Sequence, residues 1–150
     1  MPIVPIAGGC QCGAVRYAMH VAKVEKPHLC HCRMCQRATG GLFAALAGCG
    51  KADFAWTKGA PGWFASSSLA ARPFCPSCGT PLGFAYNDPA ARMYVTIGSL
   101  DDPEQVRVEK QYGADSRLSW VKLCEDAPDV AMTATPEEAA LLAGMTIHQT

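Results

Sequence analysis

The spacing of the cysteines constrains this chain more than any other feature. Two stand in GGCQCG (Cys10, Cys12), three in CHCRMCQRATG (Cys30, Cys32, Cys35) and two in FCPSCGTPL (Cys75, Cys78). Cys49 and Cys124 lie outside these groups and bring the count to nine, which forbids complete pairing within one chain. The opening MPIVPIAGG has neither a charged region nor a long apolar one, so it does not read as a secretory leader. Such thiols read as reduced metal ligands, not as a disulfide framework, and that places the protein in the cytoplasm.

Residues i and i+2 of an extended segment point to the same side, so Cys10 and Cys12 can grip one ion while Gln11 faces away. In CPSC the proline and the following Gly79 favour a tight knuckle whose amides point at sulfur. Together Cys10, Cys12, Cys75 and Cys78 make the closed tetrahedron of a structural zinc, the bland alternative being that each pair is merely buried thiols in a turn, since redox motifs share the CxxC spacing. An ion there closes a loop of roughly sixty residues, which stabilises a modest core.

Cys30, Cys32 and Cys35 converge from one short segment and supply only three ligands. His31 is a candidate fourth, but strand alternation directs it away from its neighbours. Cys49 or Cys124 is another, giving a second closed site. The third reading is an open site, because catalytic zinc combines three protein ligands with an exchangeable fourth. Three thiolates and a dication sum to minus one, which weakens water activation yet suits binding of a further sulfur. Arg33 and Arg37 flank these cysteines and can ease that charge, or else serve as solvated surface groups.

Thirteen basic residues balance thirteen acidic ones without a basic stripe, so nucleic acid and anionic membrane are not indicated partners. No apolar run is long enough to span a bilayer. Short apolar segments broken by Gly, Pro and Ser predict β-structure at 14–19, 42–47, 62–65, 82–86, 92–97 and 106–111. A helical turn is expected over 34–39, stopped by Gly40 and Gly41. A later helix is expected behind Thr135 and Pro136, with Glu137 and Glu138 in its first turn and Gly144 at its end. No linker or repeat divides the chain, so residues 1–150 read as one domain, with a core over about 8–121 and a C-terminal extension over 122–150.

GGCQCGAVRY, CHCRMCQRATGG, FCPSCGTPL and TIGSLDDP, in that order, resemble the glutathione-dependent formaldehyde-activating family, which includes centromere protein V-like domains. The resemblance implies a mainly β chain: a β-tent fold of small antiparallel sheets with a zinc knuckle, here followed by a short C-terminal helix. It implies a structural zinc on Cys10, Cys12, Cys75 and Cys78, and a functional zinc on Cys30, Cys32 and Cys35. About two zinc ions per chain are expected, with glutathione as co-substrate. The implied activity joins a small-molecule thiol to a small aldehyde, a carbon–sulfur lyase reaction run in reverse, with Arg33, Arg37 or Thr39 steadying substrate carboxylates or the oxyanion. Where family members often carry a histidine before an aromatic, this chain has Gln111 and Tyr112, and no general-acid role carries over to that position. Two competing readings remain at this stage. One is a non-catalytic zinc- and glutathione-binding module. The other is a thiol redox enzyme on a methionine sulfoxide reductase B-like fold, which needs Cys49 or Cys124 as a free reactive thiol.

Overall fold

The computed structural model describes residues 2–122 and 136–144, and the chain is mainly β, as expected. A three-stranded antiparallel sheet contains β1 (Ile6–Gly9), β2 (Arg16–Met19) and β5 (Phe54–Lys58), in the order β1-β2-β5. The second sheet contains β3 (Glu25–Cys30), β4 (Ala44–Gly50), β6 (Gly62–Ala65), β7 (Ala70–Phe74), β8 (Gly83–Tyr86), β9 (Arg92–Thr96) and β10 (Lys110–Tyr112). Its order is β10-β3-β4-β9-β8-β7-β6, antiparallel except that β10 runs parallel to β3.

Strand β4 shows how one sequence serves two faces. Ala47 and Cys49 enter a core cluster with Tyr17 and Met19 of β2 and Val95 of β9, so this core draws on both sheets. Ala44 and Leu46, offset by one residue, turn to the opposite face and pack beside Cys30, Cys32, Cys35, Phe84 and Tyr94. Met19, Leu82 and Val95 are buried, each contributing about 1.5–3 kcal/mol of hydrophobic stabilisation.

Helix α1 (Arg33–Thr39) forms where expected, with Cys32 as its N-cap and Gly40 ending it. Helix α2 (Pro136–Ala143) also forms, and the amide of Gly144 donates to Ala140 O at 3.3 Å. Its expected cap Thr135 lies outside the described residues, as does Cys124. Among the described residues no helix is long and apolar enough to cross a membrane.

The strand expected over 106–111 is corrected to Lys110–Tyr112, all three residues being exposed. Residues 106–109, although apolar and charged side chains alternate there, form no strand. His28–Cys30 of β3 pair with Lys110–Tyr112, and a β-bulge between Glu25 and His28 interrupts the pairing of β3 with β4 upstream. Strands β1, β3, β5 and β7 were not anticipated as elements. Pro27 in β3 and Pro73 in β7 read as breakers, yet Pro27 lies in the bulge and Pro73 pairs with Trp63 on the edge strand β6.

Candidate metal centres and the adjoining pocket

The first cluster sits where the two sheets meet. Cys10 follows β1, and its amide donates to Val15 O at 3.0 Å while Gly13 N donates to Cys10 O at 3.1 Å, which folds GGCQCG into a turn. Cys75 follows β7; Gly79 N donates to Cys75 O at 2.8 Å and Cys75 N to Thr80 O at 3.0 Å. Gly79 has a φ of 79°, a left-handed conformation that costs glycine little and other residues more. The four Sγ atoms of Cys10, Cys12, Cys75 and Cys78 lie within 4.8 Å of one another. Cys10 to Cys12 is 3.6 Å and Cys12 to Cys75 is 3.8 Å. A tetrahedral ion with bonds of about 2.3 Å to sulfur needs edges of about 3.8 Å, so the donors fit.

Thiolate charge is also provided for. Val15 N donates to Cys10 Sγ at 3.2 Å and Cys78 N to Cys75 Sγ at 3.5 Å. The hydroxyl of Thr80, 3.2 Å from Cys78 Sγ, is the main reason that the Cys78 thiol falls to about 5.

In the second cluster, the Sγ atoms of Cys30, Cys32 and Cys35 likewise fall within 4.8 Å of one another. Cys30 ends β3, Cys32 caps α1, and buried Cys35 lies in the helix's first turn, donating its amide to Cys32 Sγ at 3.4 Å. Among the described residues no further His, Cys, Asp or Glu joins this group. His31 is fully buried with Nε2 2.8 Å from Gln111 Oε1 and its ring against Phe43, so it is not placed as a fourth ligand. Burial pushes the Cys30 thiol up to about 12. Burial opposes ionisation of Cys32 as well, but the Cys35 amide and the adjacent thiols outweigh it and draw that group down.

The segment is clamped from two sides. Gln36, buried in α1, donates its Nε2 to His31 O at 2.8 Å and to Ser116 O at 3.0 Å. Gly113, with a φ of 68°, approaches Cys32 so closely that a Cβ would lie 2.8 Å from its amide nitrogen.

A pocket of about 540 Å³ opens over the three thiols. Cys30, Cys32 and Cys35 line it together with Leu46, Phe84, Tyr94 and Tyr112, and with the cationic residues Lys26, Arg72 and Arg92. Strand pairing explains this assembly: Tyr94 lies opposite Phe84 and His28 opposite Leu46, so side chains from six strands line one pocket. Arg72, only 8% exposed, donates from Nη2 to Cys35 Sγ at 3.4 Å and from Nε to Ser66 Oγ at 2.9 Å, over the Phe84 ring.

None of the three substrate-steadying residues expected from sequence lines this pocket. Arg33 donates to Gln36 Oε1 within α1. Thr39 donates to Cys35 O at 2.9 Å and accepts from Gly41 N, finishing the helix. Arg37 and Thr39 line an adjoining pocket of about 430 Å³, whose shared wall includes Met34, Leu46 and Arg72. Arg72 and Lys26, missed in the sequence, line the pocket instead; only pairing across strands brings them to the thiols.

The fold and the two clusters define a β protein with two candidate thiolate metal sites. The glutathione-dependent formaldehyde-activating enzyme family matches residues 5–115, and the chain belongs to that family. It is 30% identical over 112 residues to an uncharacterized lyase of Schizosaccharomyces pombe, covering 73% of this chain and 79% of that protein. A crystal structure of a Rhodobacter sphaeroides protein shares the fold with a TM-score of 0.54 at 22% identity, covering 71% of this chain and 99% of the other.

Proposed function

We propose that the protein is a zinc-dependent carbon–sulfur lyase-type enzyme that acts on the adduct of glutathione, or a similar thiol, with formaldehyde or another small aldehyde. The observation carrying this reading is the three-thiol cluster beneath a pocket, without a fourth ligand among the described residues. Cys30, Cys32 and Cys35 would hold the functional ion, and Cys10, Cys12, Cys75 and Cys78 the structural one, giving about two zinc ions per chain. At the open site zinc would supply a coordination place that keeps a bound thiol ionised.

The thiol sulfur donates an electron pair to the carbonyl carbon. A carbon–sulfur bond forms as the C=O π bond opens, and the oxyanion takes a proton from solvent. Lyase action is the reverse. Arg72 offsets the negative charge of the three thiolates, because its guanidinium is buried against Cys35. The rings of Phe84, Tyr94 and Tyr112 wall the pocket beside the thiols and give a small aldehyde an apolar surface to lie against.

The redox alternative loses ground at Cys49, which is fully buried with its thiol pushed up to about 11, chiefly by burial; Cys124 lies outside the described residues. The eight cysteines among the described residues are all free, which agrees with a cytoplasmic setting. Zinc-edge absorption during glutathione titration tests the proposal. The expected result is a change from three sulfur ligands to four at one of two ions, with release of a proton. S-methylglutathione keeps the carboxylates but presents no thiolate, so it should bind far more weakly. Equal binding of both with an unchanged spectrum overturns the mechanism.

A further inference from the structure

Lys26 is the one residue other than glycine in the described structure with a positive φ, 46°. It occupies the β-bulge between Glu25 and His28, where the left-handed position is ordinarily glycine's. Pro27 follows, and a proline further narrows the conformations open to the residue before it. His28 Nδ1 lies 2.7 Å from Lys26 O, and the His28 ring is itself held edge-on between Tyr94 and Tyr112. The surrounding structure therefore holds a lysine in a conformation that it disfavours, and such strain concentrates at ligand-binding positions.

The side chain lines the pocket over the three thiols. Its companions at that pocket are already engaged, Arg92 by Glu25 and Arg72 by Cys35 and Ser66. Among the described residues Lys26 forms no ion pair. The four steps along the strand from Lys26 to Cys30 span about 13 Å at ~3.3 Å per residue, less whatever the bulge takes up.

We propose that Lys26 is a specificity-determining residue that binds the carboxylate of the thiol co-substrate. The span selects a thiol whose carboxylate lies a peptide unit or more from the sulfur, and disfavours free cysteine. This rests on the metal–thiolate reading above. Lys26 lines the pocket four positions along the strand from Cys30, so its ammonium would meet the carboxylate of a tripeptide-sized ligand anchored at the thiols.

The test uses the full chain loaded with cobalt, whose sulfur-to-metal absorption reports thiol binding with no aldehyde present. Glutathione should bind roughly fivefold more tightly than its dimethyl ester. That preference should vanish in Lys26→Ala and Lys26→Gly and persist in Lys26→Arg, while cysteine and its methyl ester should differ little. The two uncharged variants remove the same ammonium, so their stabilities isolate the backbone, and Lys26→Gly should melt above Lys26→Ala. If wild type binds acid and ester equally, or Lys26→Ala keeps the preference, the carboxylate assignment is wrong and the metal–thiolate reading stands. If Lys26→Ala melts at or above Lys26→Gly, the strain argument is wrong. If no thiol alters the cobalt spectrum, the metal–thiolate reading falls, and this inference with it.

Discussion

Both thiol clusters begin with the same CxC element, yet they stand in different relations to the fold. The four-thiol cluster takes one pair from the end of β1 and the other from the end of β7, so its thiols come from two sheets. The three-thiol cluster takes all its thiols from Cys30–Cys35, a segment already clamped by Gln36 and the close approach of Gly113. An ion in the first cluster joins distant parts of the chain, and one in the second finds its ligands already gathered. The same chemistry is therefore expected to stabilise the fold in one place and to bind a ligand in the other.

Removing one sulfur from each cluster should produce the largest difference. Cys75→Ser is expected to cost several kcal/mol, a loss comparable with the whole stability of a typical domain, ~5–15 kcal/mol. Cys35→Ser should keep a cooperative melt and lose one metal ion together with the thiol response. Circular dichroism melts paired with elemental analysis check both. Equal collapse of the two variants would show that both ions are structural.

The next effect is confined to the three-thiol cluster. Arg72→Met removes the buried donor to Cys35 Sγ, and loss of such an outer partner typically weakens a metal site by about 10–100-fold. Competition with a chromophoric chelator should show weakening at one site only, with Arg72→Lys recovering part of it. Weakening at both sites, or at neither, would remove Arg72 from the account of the open site.

The contrast between ligands and pocket wall also marks what the sequence could tell. Seven cysteines were legible because their geometry is local: i and i+2 on a strand, and a knuckle fixed by Pro76 and Gly79. The mainly β character and α1 were legible from short apolar runs and from Gly40. The wall was not, because Lys26, Leu46, Arg72, Phe84 and Tyr94 reach one face only through the order β3-β4-β9-β8-β7. That order rests on pairings between distant segments, two of them carrying the prolines that hid β3 and β7. Proximity along the chain pointed instead to Arg33, Arg37 and Thr39, and α1 turns these three away from the pocket over the thiols.

The smallest effect tests how far the joint between the sheets depends on the four-thiol cluster at all. Beside it, Arg16 of β2 binds both carboxylate oxygens of Asp101, with Nη1 2.8 Å from Oδ1, and Tyr17 Oη lies 2.7 Å from Ser99 Oγ. These contacts also connect the three-stranded sheet to the segment after β9. The Arg16 hydrogen bonds hold the Asp101 carboxyl below its ordinary value. Its folded pKa is therefore the lower one, so its contribution is fully present above the unfolded value of ~3.9 and fades as pH falls through the folded value. Asp101 is half exposed, and screening limits the pair to about 1 kcal/mol or less. Asp101→Asn should lower stability at pH 7 by no more than that, less in high salt, with both metals retained. The Asp101 carboxyl, followed by ¹³C NMR in wild type, should titrate below the ordinary aspartate range. If Asp101→Asn instead releases metal or melts as early as Cys75→Ser, the ion pair shapes the four-thiol cluster, and the division between a fold-closing and a ligand-binding cluster must be redrawn around the joint as a whole.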